Sequence, residues 1–265
     1  MRQAVSGVVA TVAMTAASLG MATPVADAVS SRCGDTVLYA QKGGAYGTTA
    51  ENTIPKLRAA FDAGYPGVEV DVRPTLDADL VVFHDKMLNG LTSSTGYVDE
   101  RATPYVRAAQ LDGGGQIPFY VEFLDLLVSR PGKQAIIEVK GSPHWSEDLF
   151  RTALIQPAAR RGLLGRIIFE STTNKYLPII DRVDPSAETA MKGAAARDGN
   201  GVLQNADSVV TGAGWPVEHV RQVQAGSGHV VLTSPNEAGW AEALPKNPDG
   251  LASANARQLL AWCSR

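Results

Sequence analysis

Residues 67–72 read Gly-Val-Glu-Val-Asp-Val. Side chains along an extended strand point alternately to opposite faces, so Val68, Val70 and Val72 share one face and Glu69 and Asp71 the other. On a sheet with one wet face, such a pair of acids would simply meet solvent. The neighbouring segments argue for a different setting. Strand-like runs recur at 37–40 (VLYA), 80–84 (LVVFH), 135–140 (AIIEVK), 166–170 (RIIFE), 188–191 (ETAM), weakly around 201–204, at 228–233 (GHVVLT) and at 251–253. Helix-like segments stand between them at 54–63, with Pro55 in the first turn, and at 119–128, 147–160 and 254–263. Strands joined by helical crossovers form parallel sheet, and about eight such units make a (β/α)8 TIM barrel of this length. The rival doubly wound sheet normally leads a Gly-rich loop straight into a helix. Here Gly43-Gly44-Ala45-Tyr46-Gly47 runs on into Thr-Thr-Ala-Glu-Asn-Thr instead. In a barrel the valine face packs under the helices, which turns the acidic face to the barrel interior or its rim.

Composition is consistent with one globular domain of enzyme size. Of the 265 residues 45% are hydrophobic and 19% charged, which excludes a disordered chain. With 24 Lys+Arg against 27 Asp+Glu the net charge is -3, so no basic stripe for nucleic acid is expected. The first residues form an address: Arg2, an uncharged Ala/Val-rich stretch from Ala4 to about Leu19, then Ala26-Asp27-Ala28 as a cleavage site. Cleavage after Ala28 leaves 29–265 as a single barrel domain outside the cell. The apolar run falls short of the ~20 residues that span a bilayer, so no stable membrane insertion is expected. Cys33 and Cys263, the two cysteines, stand near the ends of the exported chain. In an oxidising compartment they are expected to pair, which a barrel allows because its first and last elements are neighbours.

Barrel chemistry comes from the C-terminal ends of strands. Gln41-Lys42 follows the first strand, Glu69 and Asp71 lie on the second, His84-Asp85 ends the 80–84 run, and Glu138 and Lys140 end the next. Three carboxylates on neighbouring strands repel unless a cation holds them, and an all-oxygen donor set selects Ca²⁺ or Mg²⁺ over zinc. His84 is either a hydrogen-bonded core histidine or a proton carrier. Lys140 either pairs with Glu138 or holds an anionic oxygen. His144, His219 and His229 show no ligand spacing.

These residues in this order resemble the glycerophosphodiester phosphodiesterase family, in its secreted bacterial type. The family pattern runs His-Arg-Gly, Glu-Asn-Thr, Glu-x-Asp-Val, x-Thr-x-Asp, His-Asp and Glu-x-Lys. The chain has Gln41-Lys42-Gly43, Glu51-Asn52-Thr53, Glu69-Val70-Asp71-Val72, Thr75-Leu76-Asp77, His84-Asp85 and Glu138-Val139-Lys140. Further on, Val231-Leu232-Thr233-Ser234-Pro235-Asn236 resembles the family's Trp-Thr-Val-Asn strand with its Trp lost, and Pro248-Asp249-Gly250-Leu251 its Gly-Val-Asp-Gly-Ile. The resemblance implies a TIM barrel of the PLC-like phosphodiesterase type, with Glu69, Asp71 and Glu138 as metal ligands. It implies His84 as one of two catalytic histidines and Lys140 as a phosphate contact. The reaction so implied splits a glycerophosphodiester or lysophospholipid into an alcohol and glycerol 3-phosphate.

Gln41 stands where the family has its first catalytic histidine, and Lys42 where it has arginine. An amide exchanges no proton near neutral pH, and an ammonium lacks the planar bidentate grip of guanidinium. Three readings remain open on these residues. One is a slowed phosphodiesterase in which His84 and Lys42 share proton transfer. Another uses a good leaving group, or the substrate's own hydroxyl as nucleophile to give a cyclic phosphate. The third is a weak or inactive barrel that binds phosphodiester headgroups. The enzyme readings stand first, and a metal-dependent lyase or aldolase on the same barrel ranks behind all three. The expected partner is a small-molecule or phospholipid phosphodiester, with no protein partner.

Overall fold

Eight parallel strands close into a barrel in the computed structural model, which describes residues 32–44, 50–193, 199, 202 and 204–265. The expected leader at 1–28 and residues 45–47 of the glycine-rich loop lie outside the described residues. The strands are β1 Val37–Gln41, β2 Gly67–Pro74, β3 Leu80–Val82, β4 Gln134–Val139, β5 Ile167–Ser171, β6 Glu188–Lys192, β7 Ser208–Gly212, β8 Val230–Thr233 and β9 Gly250–Ser253. Their order is β1-β9-β8-β7-β6-β5-β4-β2, and β1 pairs with β2 to complete the circle. The ninth strand, β3, runs antiparallel along the end of β2 and stands outside the ring.

The alternation read from residues 67–72 is realised. Val68, Val70 and Val72 pack with the helices in the main core, and Ala135, Ile137, Val139, Ile167 and Phe169 do the same on β4 and β5. The inward residues Tyr39, Ile136, Ile168, Ala190, Val210, Val231 and Ala252 form a separate apolar layer, one from each of seven strands. The eighth, β2, contributes Gly67 there. A Cβ on Gly67 would collide with the Tyr39 ring, and one on Gly250 would crowd it, so this aromatic fills the barrel because two glycines stand opposite. That layer is the floor beneath the polar residues above it.

The helix Ile54–Asp62 has Pro55 in its first turn, and the Thr53 side chain accepts the Lys56 N–H at its N-cap. The expected helix over 147–160 is a continuous helical stretch whose middle, Phe150–Ile155, is π-helical. One expectation fails. The strand placed around 201–204 is not there: Val202 is helical and Gln204 lies in a turn, while Gly201 and Leu203 fall outside the described residues. The strand that fills this slot is β7, whose Val209 and Val210 make a core of two residues flanked by Ser, Thr and Gly. So short an apolar run carries little periodic signal.

Between β2 and the helix Tyr120–Val128 the chain makes an excursion that includes β3 and the helix Thr103–Ala108. It has its own small core of Val81, Phe83, Leu88, Val98, Val106, Ala109, Leu111 and Ile117. Thr75 and Asp77 serve this excursion. The Thr75 and Thr103 hydroxyls lie 2.7 Å apart, and Asp77 Oδ2 accepts the Thr103 N–H at 2.7 Å. His84 enters the barrel mouth on the same excursion.

Candidate active site

Strand register brings the acids together. Asp71 on β2 stands opposite Glu138 on β4, which stands opposite Glu170 on β5, while Glu69 stands opposite Gln41 on β1. Adjacent strands are about 4.8 Å apart, so like charges at one level repel. Glu69, Asp71, Glu138 and Glu170 are all buried. Glu69, Asp71 and Glu138 each offer an oxygen within 4.8 Å of the others.

Two ammonium groups sit among them. Lys140 Nζ lies 2.9 Å from Asp71 Oδ1 and 2.7 Å from Glu138 Oε2. Lys192, the last residue of β6, lies 3.2 Å from Glu69 Oε1, 2.5 Å from Glu138 Oε2 and 2.6 Å from Glu170 Oε1. Four carboxylates thus face two ammonium groups. The hard oxygen donors fit a divalent cation of the Ca²⁺ or Mg²⁺ kind, which Glu69, Asp71 and Glu138 could hold.

The charges shift one another. Burial, then the neighbouring Asp71, pushes the Glu69 carboxyl up. Burial acts the same way on Asp71, but Lys140 and the Asn52 amide outweigh it and hold Asp71 below the usual carboxylate range. Burial raises Glu170 to about 8 against the pull of Lys192. Lys192 would be lowered by burial, yet Glu170, Glu69 and Glu138 drive it well above an ordinary lysine.

Asn52 and Arg73 build the frame. Asn52 Nδ2 donates to Asp71 Oδ2 at 2.7 Å from a left-handed backbone conformation (φ +60°), one that asparagine tolerates better than most residues. Arg73 donates from Nε and Nη2 to the His84 carbonyl at 2.9 and 2.7 Å, and from Nη1 to the Gly141 carbonyl at 3.3 Å. The Phe83 N–H meanwhile donates to the Asp71 carbonyl at 2.9 Å. His84 is therefore pinned beside the carboxylates by backbone contacts on both sides. Its Nδ1 lies 2.6 Å from Asp85 Oδ1.

Gln41, Lys42, Glu69, His84, Glu138, Lys140 and Lys192 line one cavity of about 440 Å³ at the C-terminal ends of the strands. Asp71 lies beneath it, fully buried. The residues singled out from sequence therefore converge. Lys42 is turned to the rim, where its Nζ pairs with Glu51 Oε1 at 3.0 Å, while its backbone N–H donates to the Glu69 carbonyl at 2.7 Å. Lys140 takes part in the Glu138 pairing and also reaches Asp71.

Sequence reasoning missed Glu170, Lys192, Asn52 and Arg73. The alternation in 166–170 and 188–191 does carry a signal for the first two, since it turns Ile168 and Glu170, then Ala190 and Lys192, inward. Asn52 stands in the quoted Glu51-Asn52-Thr53 motif, but its bond to the distant Asp71 carboxylate has no signature in the spacing, and Arg73 acts through hydrogen bonds to distant backbone carbonyls. A larger cavity of about 820 Å³ opens at the opposite end of the barrel, lined by Tyr39, Gln134, Glu188, His229 and Asp249 among others. It lies at the strand N-termini, where barrel enzymes do not place their chemistry.

Comparison with known proteins bears on the family and the fold. The model of the Glycerophosphoryl diester phosphodiesterase family matches residues 43–225. The Bacillus subtilis protein YqiK, described as uncharacterized, is 27% identical over 169 residues, covering 59% of this chain and 66% of that protein. A glycerophosphodiester phosphodiesterase of Bacillus altitudinis is 31% identical over 114 residues, covering 40% of this chain and 46% of the relative. The aligned part thus spans less than two thirds of either relative. Among solved structures, an Oleispira antarctica phosphodiesterase in complex with the product sn-glycerol-3-phosphate superposes with a TM-score of 0.72 at 19% identity. That superposition covers 86% of this chain and 97% of the other, and at that identity it speaks for the fold.

Proposed function

The chain belongs to the glycerophosphoryl diester phosphodiesterase family, and on that footing we propose that it cleaves glycerophosphodiesters at a divalent cation held by Glu69, Asp71 and Glu138. The observation that carries this reading is one cavity lined by both the carboxylate cluster and the His84–Asp85 pair. When bound, the cation supplies Lewis-acid stabilisation of charge on the phosphoryl oxygens. The chain's own residues do the rest. Lys140, beside the carboxylates and on the cavity wall, offers its ammonium to a phosphate oxygen. His84, oriented by Asp85, donates from Nε2 to the departing alkoxide as the P–O bond breaks. The attacking oxygen must lose its own proton, and Gln41 cannot take it. His84 is the one histidine lining the cavity among the described residues. The two proton transfers therefore fall to a single imidazole, which suits slow hydrolysis or attack by the substrate's own neighbouring hydroxyl.

Gln41 also favours a second reading, a pocket that binds phosphodiester headgroups without turning them over. Phosphorus NMR separates the two. The exported form, 29–265, is incubated with glycerophosphocholine, glycerophosphoethanolamine or a lysophospholipid, in Ca²⁺, Mg²⁺ or EDTA, with Glu138→Ala as the blank. The expected result is metal-dependent product absent from the blank, its phosphorus shift telling an open monoester from a cyclic phosphate. Metal-dependent binding without product would establish the headgroup reading instead. Removal of residues 1–28 during export belongs to the same proposal. The Cys33–Cys263 disulfide supports it, since such bonds persist in oxidising compartments.

A further inference from the structure

We infer that Lys192, alongside Lys140, is a resident cation of the carboxylate cluster, and that a divalent ion enters only by displacing the Lys192 ammonium. This rests on the metal reading proposed above and says how that site is regulated. An ammonium has three N–H donors. Lys192 Nζ has three carboxylate acceptors, at 2.5 Å on Glu138 Oε2, 2.6 Å on Glu170 Oε1 and 3.2 Å on Glu69 Oε1, so its donor set is filled. Two of those carboxylates belong to the proposed metal ligands. Calcium sits about 2.3–2.6 Å from its oxygens and magnesium closer still. An ion on Glu138 Oε2 would therefore meet the ammonium at contact distance, and the two cations repel.

The arrangement has a structural reason. Register aligns Asp71, Glu138 and Glu170 on adjacent strands, with Glu69 beside them, and all four are buried. Uncompensated, such a cluster would resist folding. Lys140 compensates Asp71 and Glu138. Glu69 and Glu170 depend on Lys192, so the ligands are assembled before any ion arrives. Lys192 is also built to leave: it ends β6, carries a flexible four-carbon stem, and has 21% of its side chain exposed toward the cavity. The fold is therefore independent of metal, and ion affinity is held down by the internal competitor.

Calorimetric titration with CaCl₂, and separately MgCl₂, tests this on the wild-type chain, Lys192→Met and the double variant Lys192→Met/Glu170→Gln. The double variant removes Lys192 together with its partner Glu170, so that acid is not left bare in the core, and it leaves the proposed ligands intact. It should bind the ion at least about tenfold more tightly than wild type. Lys192→Met alone should melt lower than wild type in EDTA and gain more in Tm from excess Ca²⁺ than wild type gains, because an ion bound only to the folded state stabilises it in proportion to its affinity. If Lys192→Met does not fold, the double variant carries the titration. Equal or weaker ion binding by the double variant than by wild type overturns the displacement proposal while leaving the metal reading standing. Absence of binding in every protein overturns the metal reading and the displacement with it.

Discussion

Gln41 concentrates the chemical question in one side chain. It ends β1, faces Glu69 across the strand pair and lines the cavity that His84 enters. Its amide can orient a phosphate or a hydroxyl but moves no proton. A positioned acid–base group contributes about 10²–10⁴-fold in rate. Gln41→His is expected to raise kcat by at least about tenfold, with KM little changed and a second ionisation in the pH–rate profile. The measurement is steady-state kinetics on a glycerophosphodiester across pH. An unchanged profile would show that the second proton transfer has no use in this pocket. Lys42, although next in sequence, is held by Glu51 and belongs to the rim.

Between elements, the decisive joint is the one that carries His84 from the excursion to the barrel. Arg73, inward-facing near the end of β2, bridges the His84 carbonyl and the Gly141 carbonyl after β4. Hydrogen bonds from a charged donor contribute about 1.5–3 kcal/mol each, and a buried carbonyl left bare costs about 1–3 kcal/mol. Arg73→Met should therefore loosen His84 while leaving the hydrogen bonds of the carboxylates in place, although it also removes a positive charge that acts on Asp71 and Glu138. We expect kcat to fall by one to two orders of magnitude, on the order expected for a displaced proton carrier, while ion affinity measured by calorimetry does not fall, since a positive charge near Asp71 and Glu138 is lost. Parallel loss of both would mean that β2 itself had moved.

For the molecule as a whole, closure is both hydrogen-bonded and covalent. β1 pairs with β9, and Cys33 is bonded to Cys263 across 230 positions of sequence. Closing so long a loop removes much denatured-state freedom, and loss of a native disulfide typically costs about 2–5 kcal/mol. Cys33→Ser with Cys263→Ser should lower Tm by about 5–15 °C in calorimetry, with the same effect on wild type under reductant. An unchanged Tm would show that the β1–β9 ladder already holds the ends together.

The barrel, the inward acids of β2 and β4 and the pairing of the two cysteines were legible from sequence. Each rests on a local or compartmental rule: strand alternation of period two, helices between strands, thiols in an oxidising milieu. β7 escaped because two valines among Ser, Thr and Gly carry no periodicity. Glu170 and Lys192 followed the same inward alternation as Glu69 and Asp71, but nothing local says that β5 and β6 come to lie beside β4 with Glu170 at the level of Glu138. That level is set by register across four strands, and register exists only once the sheet has closed. The tertiary structure alone decided that a lysine from β6 occupies the oxygens of β2, β4 and β5, and that Arg73 fixes His84. Such contacts join residues far apart in the chain, and their geometry comes from packing rather than from any spacing in the sequence.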